Sequence, residues 1–145
     1  MNEMELHDLL FSFVGLFHEK FLMRFRRHDS SFPGLKKNHY KILGMLHQHE
    51  YLISSDIGRM MDVEKGSLTI LIDQLEERGL IRRRADPCDR RKSHILLSDT
   101  GRKEMDEVVA QHAGEIKDLL QGMDEQKIKK FTECLKYSVG IMKEI

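Results

Sequence analysis

The sequence predicts a mainly α-helical chain with one small β-hairpin, and three observations support this prediction. Apolar residues recur at steps of three and four through most of the 145 residues, which is the spacing of amphipathic helices. Only two prolines interrupt the chain, which leaves room for long helices. Residues 80–98 instead contain two strand-like stretches on either side of a turn that includes Pro87.

The composition excludes several classes of protein. With 40% hydrophobic and 33% charged residues, the chain has the balance of one soluble globular domain. No apolar run is long enough to span a membrane, the N-terminus lacks a basic signal-peptide start, and two cysteines are too few for a disulfide framework. We therefore expect a cytoplasmic protein. Because no phosphate loop, nucleophile elbow or metal triad is present, we expect no enzyme and no cofactor.

Three helices are predicted in the first 61 residues. Leucines and phenylalanines form one stripe over residues 6–27, which predicts a long amphipathic helix. Residues 28–34 have the composition of a loop, and a second helix follows over residues 36–49. A serine at position 54 or 55 can cap a short third helix that ends at Met61.

A tight turn at residues 62–64 leads to a fourth helix over residues 65–78, which Gly79 ends as a left-handed residue. Strands are expected at residues 80–85 and 93–98. In the second strand, Ile95 and Leu97 alternate with His94, Leu96 and Ser98.

Two further helices close the predicted fold. The first covers residues 99–121 and is capped by Ser98-Asp99, and Asp124 can cap the second. The first and the last two helices carry more apolar surface than the small core could cover, which calls for a partner. We expect a homodimer built from residues 6–27 and 99–145.

Positive charge is concentrated on the hairpin, although the formal net charge of the chain is zero. From Arg78 to Lys103, nine Arg and Lys residues stand against three Asp residues, so this segment carries a net charge of +6. Two short helices joined by a tight turn and followed by a basic hairpin describe a winged helix-turn-helix, whose second helix enters the major groove of DNA. The sequence therefore predicts a protein that binds double-stranded DNA.

Two sets of residues are expected to contact the DNA. On the recognition helix, residues 65–78, the positions that the core leaves free are Lys65, Ser67, Thr69, Ile70 and Gln74. The hairpin, or wing, contributes Arg84 and four residues of its loop: Asp89, Arg90, Arg91 and Lys92. We expect Arg91 to enter the minor groove and Arg90 and Lys92 to contact phosphates. Asp89 is expected to brace Arg91 through a charge-assisted hydrogen bond.

These segments resemble the MarR family (multiple antibiotic resistance regulator) of transcription regulators over residues 36–121. The motifs that carry the resemblance are Gly66-Ser67-Leu68-Thr69, Leu75-Glu76-Glu77-Arg78-Gly79-Leu80-Ile81, Asp86-Pro87, Asp89-Arg90-Arg91 and Leu97-Ser98-Asp99-Thr100-Gly101. The resemblance implies a winged helix-turn-helix flanked by dimerisation helices. It also implies binding to a pseudo-palindromic operator, usually to block a promoter, and often release by a small ligand or an oxidant. Many members carry arginine where this chain has Ile70, so an operator inferred from them is in doubt.

The domain organisation follows from this resemblance. We expect a DNA-binding lobe over residues 36–98 and a helical dimerisation region over residues 1–35 and 99–145, integrated into one domain. A winged-helix module that binds proteins is the alternative function, and a thiol- or zinc-responsive regulator of the same fold is another. The six cations that lie between Arg82 and Lys92 argue against a protein partner.

The effector, in contrast, is not indicated by any motif. A crevice for a small organic ligand could be lined by Phe13, Phe17, His39, Tyr40 and His112, which serve equally well as core residues. No paired cysteines or histidines support a metal site. Cys88 is expected on the wing, where arginines would favour its thiolate, although an incidental turn residue explains it better. Cys134 is expected to be packed in the last helix.

Overall fold

The computed structural model describes residues 2–26 and 32–145. In chain order the elements are α1 (Glu3–Phe17), a π-helical turn (His18–Leu22), α2 (Met23–Phe25), α3 (Lys37–His47), β1 (Leu52–Ile53), α4 (Ser54–Met61), α5 (Lys65–Glu77), β2 (Ile81–Ala85), β3 (Ser93–Leu97), α6 (Asp99–Leu119) and α7 (Glu125–Met142). The predicted helical fold with one hairpin is confirmed. Residues 28–31 of the predicted loop lie outside the described residues.

The three strands form one antiparallel sheet in the order β1-β3-β2. Strands β2 and β3 pair from Ile81 opposite Leu97 to Ala85 opposite Ser93, as expected for a hairpin. Strand β1 was not predicted. Its two residues, Leu52 and Ile53, pair with β3, and so short a strand shows no alternation of apolar and polar residues by which it could be found.

A residue in the left-handed conformation follows each of the helices α4 and α5. Asp62 ends α4 in the left-handed conformation, with φ of 52°, and Gly79 follows α5 with φ of 71°, as predicted for a glycine in that place. The predicted serine cap of α4 is wrong, because Ile53 occupies the cap position and no side chain caps the helix.

One hydrophobic core packs α3, α4 and α5 against the sheet and the first half of α6. Its buried members include Ile42, Leu43, Leu46, Ile57, Leu68, Ile72, Leu75, Leu80, Ile81, Ile95, Leu97, Met105 and Val108. The predicted inward positions of α5 are confirmed, with Leu68, Ile72 and Leu75 buried and Leu71 partly buried. Each fully buried aliphatic side chain contributes about 1.5–3 kcal/mol, so this core holds α5 firmly.

The start of α6 lies directly against the beginning of the hairpin. The Ser98 hydroxyl donates to the carbonyl of Gly79 and accepts from the backbone N–H of Gly101 at 3.0 Å. A Cβ atom on Gly101 would lie 1.9 Å from the carbonyl oxygen of Leu80. Only glycine fits at this position, which explains the Leu-Ser-x-x-Gly pattern at this junction.

The chain divides into two compact units. The helical unit comprises Met1–Arg27 and Gln111–Ile145, and the mixed unit comprises His28–Ala110. The division falls within α6, whereas the sequence-based boundary is at residue 98. The first half of α6 belongs to the mixed unit because Met105 and Val108 are part of its core.

Aromatic rings are prominent in the helical unit. Phe13, Phe17, Phe21 and Phe25 follow one another along the chain with neighbouring ring centroids 5.5 to 6.3 Å apart. His112 stacks on Phe25 at 4.1 Å. Neither α1 nor α7 buries a single residue within the chain, so their apolar faces remain open.

Candidate nucleic-acid interface

The recognition helix α5 presents all five predicted residues on its exposed side. Lys65, Ser67, Thr69, Ile70 and Gln74 are exposed. Ile70 is 58% exposed, and Ser67 and Gln74 lie three residues before and four residues after it, on the same stripe. A β-branched apolar side chain with this exposure is available for contact with a partner surface.

Two of these side chains are partly committed within the mixed unit. The Thr69 hydroxyl donates to the carbonyl of Lys65 at 2.9 Å, so its oxygen keeps only acceptor capacity. The Oε1 atom of Gln74 lies 2.8 Å from Nε2 of the buried His39. Gln74 was predicted to have no contact within the protein. Its contact with His39 was missed because 35 residues separate the two along the chain.

The wing carries cations that have no acidic partner. Arg84, Arg90, Arg91 and Lys92 are exposed, and none of them forms an ion pair with any residue in ranges 2–26 and 32–145. Arg84 lies near the end of β2, and the loop between β2 and β3 carries Arg90, Arg91 and Lys92. At the base of this loop, Asp86 N–H donates to the carbonyl of Lys92 at 3.0 Å. Surface cations without acidic partners on a projecting hairpin attract a polyanion.

Asp86 organises the wing loop, a role that the sequence did not predict. Its Oδ1 atom accepts hydrogen bonds from the backbone N–H groups of Cys88 at 2.8 Å and Asp89 at 2.9 Å. These two hydrogen bonds lower the pKa of the Asp86 carboxyl below its usual value, and the contact with His94 lowers it further. An Asx turn before proline is a recognisable signal, so the Asp-Pro pair could have indicated this function.

Asp89 braces Arg91 through the backbone of the wing loop. Its Oδ1 atom accepts from the backbone N–H of Arg91 at 3.0 Å, and in the described part of the chain no ion pair joins it to the guanidinium. The expected charge-assisted hydrogen bond between Asp89 and Arg91 is present, and its donor is the Arg91 backbone N–H. The carboxylate shapes the backbone of the turn and leaves the Arg91 guanidinium free.

His94 anchors the wing loop to the sheet from a buried position. It is 5% exposed, its Nε2 atom donates to Oδ2 of Asp86 at 2.6 Å, and its ring stacks on Tyr51 with centroids 3.7 Å apart. The alternation of residues along β3 had predicted that His94 and the inward-facing Ile95 lie on opposite faces of the strand. The imidazole can be buried because Asp86 satisfies Nε2, although Nδ1 has no partner in the described chain.

Arg83 joins the wing to the recognition helix. Its guanidinium donates to the carboxylates of Asp73 and Glu76, which lie on α5. Burial lowers the pKa of Arg83, but the hydrogen bonds and the charges of Asp73 and Glu76 raise it more, so the net shift is upward. Arg83 was counted among the wing cations, but its charge is compensated by its own recognition helix.

The predicted crevice residues are distributed over both units. In the helical unit, Phe13 and Phe17 line an apolar cavity of about 460 Å³ together with Phe21, Phe25, Phe131 and other residues, and His112 packs on Phe25. In the mixed unit, His39 contacts Gln74, and Tyr40 donates to Glu104 at 2.9 Å. A shared crevice remains a prediction.

The described residues contain no cluster of three or more metal-ligating side chains. Cys88 and Cys134 are both exposed, so the expectation of a packed Cys134 is wrong within the single chain. No helix in the described chain combines the length and apolar character that a membrane span requires.

Two helices joined by a tight turn, an exposed recognition stripe and a basic wing define a winged helix-turn-helix protein of the DNA-binding class. A family model described as "MarR family" matches residues 35–93. The chain is 28% identical over 103 residues to the HTH-type transcriptional regulator MhqR of Bacillus subtilis, covering 71% of each chain.

Solved structures extend the likeness to nearly the whole chain. A MarR family protein from Bacillus stearothermophilus has a TM-score of 0.74 at 20% identity, with 99% of both chains covered. Streptococcus pneumoniae FabT, solved in complex with DNA, has a TM-score of 0.67 at 18% identity, with 99% of both chains covered. The chain belongs to the MarR family, and it is a transcriptional regulator rather than an enzyme.

Proposed function

We propose that the protein is a homodimeric repressor that binds a pseudo-palindromic operator in the cytoplasm and leaves it when a small apolar ligand binds. The observation that carries the DNA-binding part is the set of four wing cations without acidic partners, beside the exposed stripe of α5. Repression would follow if the operator overlaps a promoter, because a bound dimer there excludes the polymerase.

In the proposed complex, α5 lies in the major groove and the wing follows the adjacent minor groove. Ile70 contacts a thymine methyl group, while Lys65, Ser67 and Thr69 contact phosphates or base edges. Arg91 enters a narrow minor groove, where the negative potential is strongest. Arg84, Arg90 and Lys92 position the wing on phosphates and read no sequence.

The dimer is supported by the open apolar faces of the helical unit. The exposed fractions of Leu9, Phe11 and Val14 are 62%, 69% and 63%, and Met142 in α7 is 65% exposed. Apolar surface of this extent is unfavourable in water and marks an interface. A two-fold dimer would also match an operator with two half-sites. Sedimentation at micromolar concentration should therefore give twice the chain mass of 17.1 kDa, and a monomer would refute the proposal.

Release by an apolar ligand is supported by the cavity in the helical unit. Apart from Lys20 and Thr132, its walls are phenylalanine, leucine and isoleucine side chains, so an uncharged or largely apolar molecule fits it better than a polar one. Such a ligand can release the DNA only if it binds the free form more tightly than the bound form.

The direct test of the proposal is a mobility-shift titration of the full chain with the duplex upstream of its own gene at moderate salt. We expect a discrete shifted band that an unrelated duplex of equal length does not compete away. Equal competition by both duplexes would refute an operator there, and the absence of any shift at moderate salt would favour the protein-binding alternative.

A further inference from the structure

The contact between His39 and Gln74 connects the core of the mixed unit to the exposed stripe of the recognition helix. The His39 ring is 2% exposed. Its Nδ1 atom lies 2.9 Å from the backbone nitrogen of Lys36, and its Nε2 atom lies 2.8 Å from Oε1 of Gln74. One buried ring therefore spans from the start of α3 to the surface of α5.

The hydrogen-bond chemistry of this contact has only one consistent assignment. A backbone N–H can only donate, so Nδ1 of His39 accepts from Lys36 and carries no proton. In this tautomer Nε2 carries the proton and donates, and its partner must be an acceptor. The carbonyl oxygen of Gln74, rather than its amide nitrogen, therefore faces His39.

This assignment turns the Gln74 carbonyl toward His39 and leaves both N–H donors of Gln74 unused. The carboxamide is planar, so its NH2 group lies on the arm that is turned away from His39. No other polar atom in the described chain contacts that group, and Gln74 as a whole is exposed. A free glutamine can orient a donor and an acceptor side by side, whereas the carboxamide of Gln74 is fixed with its carbonyl toward His39 and its NH2 group on the opposite arm.

We propose that His39 is a specificity-determining positioning residue, which locks Gln74 so that it presents only hydrogen-bond donors to an acceptor on the DNA. The inference rests on the proposed placement of α5 in the major groove. The bidentate pair of glutamine with adenine needs both a donor and an acceptor directed at the base, and the lock holds the carbonyl acceptor toward His39. The guanine edge, with its N7 and O6 acceptors, fits the locked group, and the cytosine edge, which offers a donor, does not.

Three variants separate this mechanism from a general effect on folding. In His39→Asn the side-chain oxygen can still accept from Lys36 N–H, but the side chain is too short to reach Gln74. Gln74→Glu keeps an oxygen for His39 Nε2–H and replaces the outward NH2 donor by an acceptor. Gln74→Ala removes the group altogether, and the double variant His39→Asn with Gln74→Ala tests whether His39 acts through Gln74.

The experiment is selection of duplexes from a random pool by the full-length protein and each variant, followed by affinity titrations on the selected sequences. At one position in each half-site we expect the parent to prefer guanine, His39→Asn to shift toward adenine, and Gln74→Glu to shift toward cytosine. Each shift should amount to about tenfold in relative affinity, from a discrimination of about 1.4 kcal/mol per good pair. In the Gln74→Ala background, His39→Asn should change nothing further.

A phosphate oxygen is the other acceptor that could receive the donors. In that case Gln74→Ala and His39→Asn weaken binding to all sequences alike, without a change in preferred bases, and the double variant equals Gln74→Ala. That result also supports the locked donor. The inference is overturned if Gln74→Ala selects and binds DNA like the parent, or if His39→Asn does so while Gln74→Ala is impaired.

Failure of this inference is distinguishable from failure of the proposed function. If the parent selects an operator and Arg91→Ala loses affinity for it while the Gln74 variants behave as the parent, only the lock is refuted. If the parent selects no sequence, the proposed function itself is refuted. If the melting temperature shows that His39→Asn does not fold, the base preference of Gln74→Glu still tests the inference, because that substitution lies at the surface.

Discussion

Replacing Arg83 by methionine should weaken DNA binding more than the loss of one positive charge explains. Arg83 compensates Asp73 and Glu76 on the recognition helix. Methionine keeps much of the apolar stem and removes the guanidinium, so both carboxylates become uncompensated on the helix that faces DNA. The matched control is Arg82→Met on the same strand, because Arg82 has only a long contact of 3.5 Å with the fully exposed Asp99.

The expected magnitudes follow from the two ion pairs. Exposed pairs contribute about 0.2–1 kcal/mol each, so Arg83→Met should lower the free energy of unfolding by about 0.4–2 kcal/mol. In water, a carboxylate at about 8 Å from a phosphate is repelled by about 0.5 kcal/mol before screening. Two such carboxylates give a further loss of up to about fivefold in operator affinity beyond that of Arg82→Met at low salt, and a smaller loss as screening increases.

Fluorescence anisotropy with a labelled operator at matched ionic strength measures this difference, and urea unfolding measures the stability. Adding Asp73→Asn and Glu76→Gln to Arg83→Met should restore the affinity to that of Arg82→Met without restoring the stability. The reasoning is refuted if Arg83→Met and Arg82→Met bind alike, or if the neutralised variant stays as weak as Arg83→Met.

Four further predictions concern the wing and the recognition helix. Arg91→Ala should weaken operator binding more than Arg90→Ala, although both lower the salt slope by about one; indistinguishable titrations would refute the minor-groove placement of Arg91. Asp89→Ala should also weaken operator binding, because the wing turn loses its hydrogen bond to the Arg91 backbone. Bulk electrostatics predicts tighter binding instead, and the same titrations show whether the affinity falls or rises. Ile70→Arg should change the sequence recovered by selection, with about 1–3 kcal/mol of discrimination for a guanine pair; an identical operator would contradict the placement of α5. The fold lowers the pKa of Asp86, so its stabilising contribution is complete above the ordinary value of 3.8 and is lost as the pH falls below it. Asp86→Asn should therefore flatten the acid side of a stability–pH profile. An unchanged profile would count against the role of Asp86 in the turn.

The sequence predicted those features that depend on neighbours along the chain. The inward face of α5 follows from the spacing of Leu68, Ile72 and Leu75, and the left-handed Gly79 follows from its place after the helix. The loop that carries Arg90 and Arg91 was predicted because it is too long for a tight turn between the strands. These are local properties, and helical or strand periodicity determines them.

The features that the sequence missed depend on partners outside the residue's own helix or strand. Burial of His94 requires Asp86 across the hairpin, and the compensation of Arg83 requires α5 to lie beside β2. The lock on Gln74 requires His39 from another helix. No periodicity encodes such pairs, since which charges and amides meet is decided only when the core brings the elements together.

The central claim, sequence-specific recognition of duplex DNA by a two-fold dimer through α5 and the wing, is tested most directly by selection from a random duplex pool with the purified full-length protein. We predict enrichment of one two-fold-symmetric motif whose half-sites are about one helical turn, or about 10 base pairs, apart. Enrichment of no sequence above the starting pool, or of a single asymmetric site, would contradict the account.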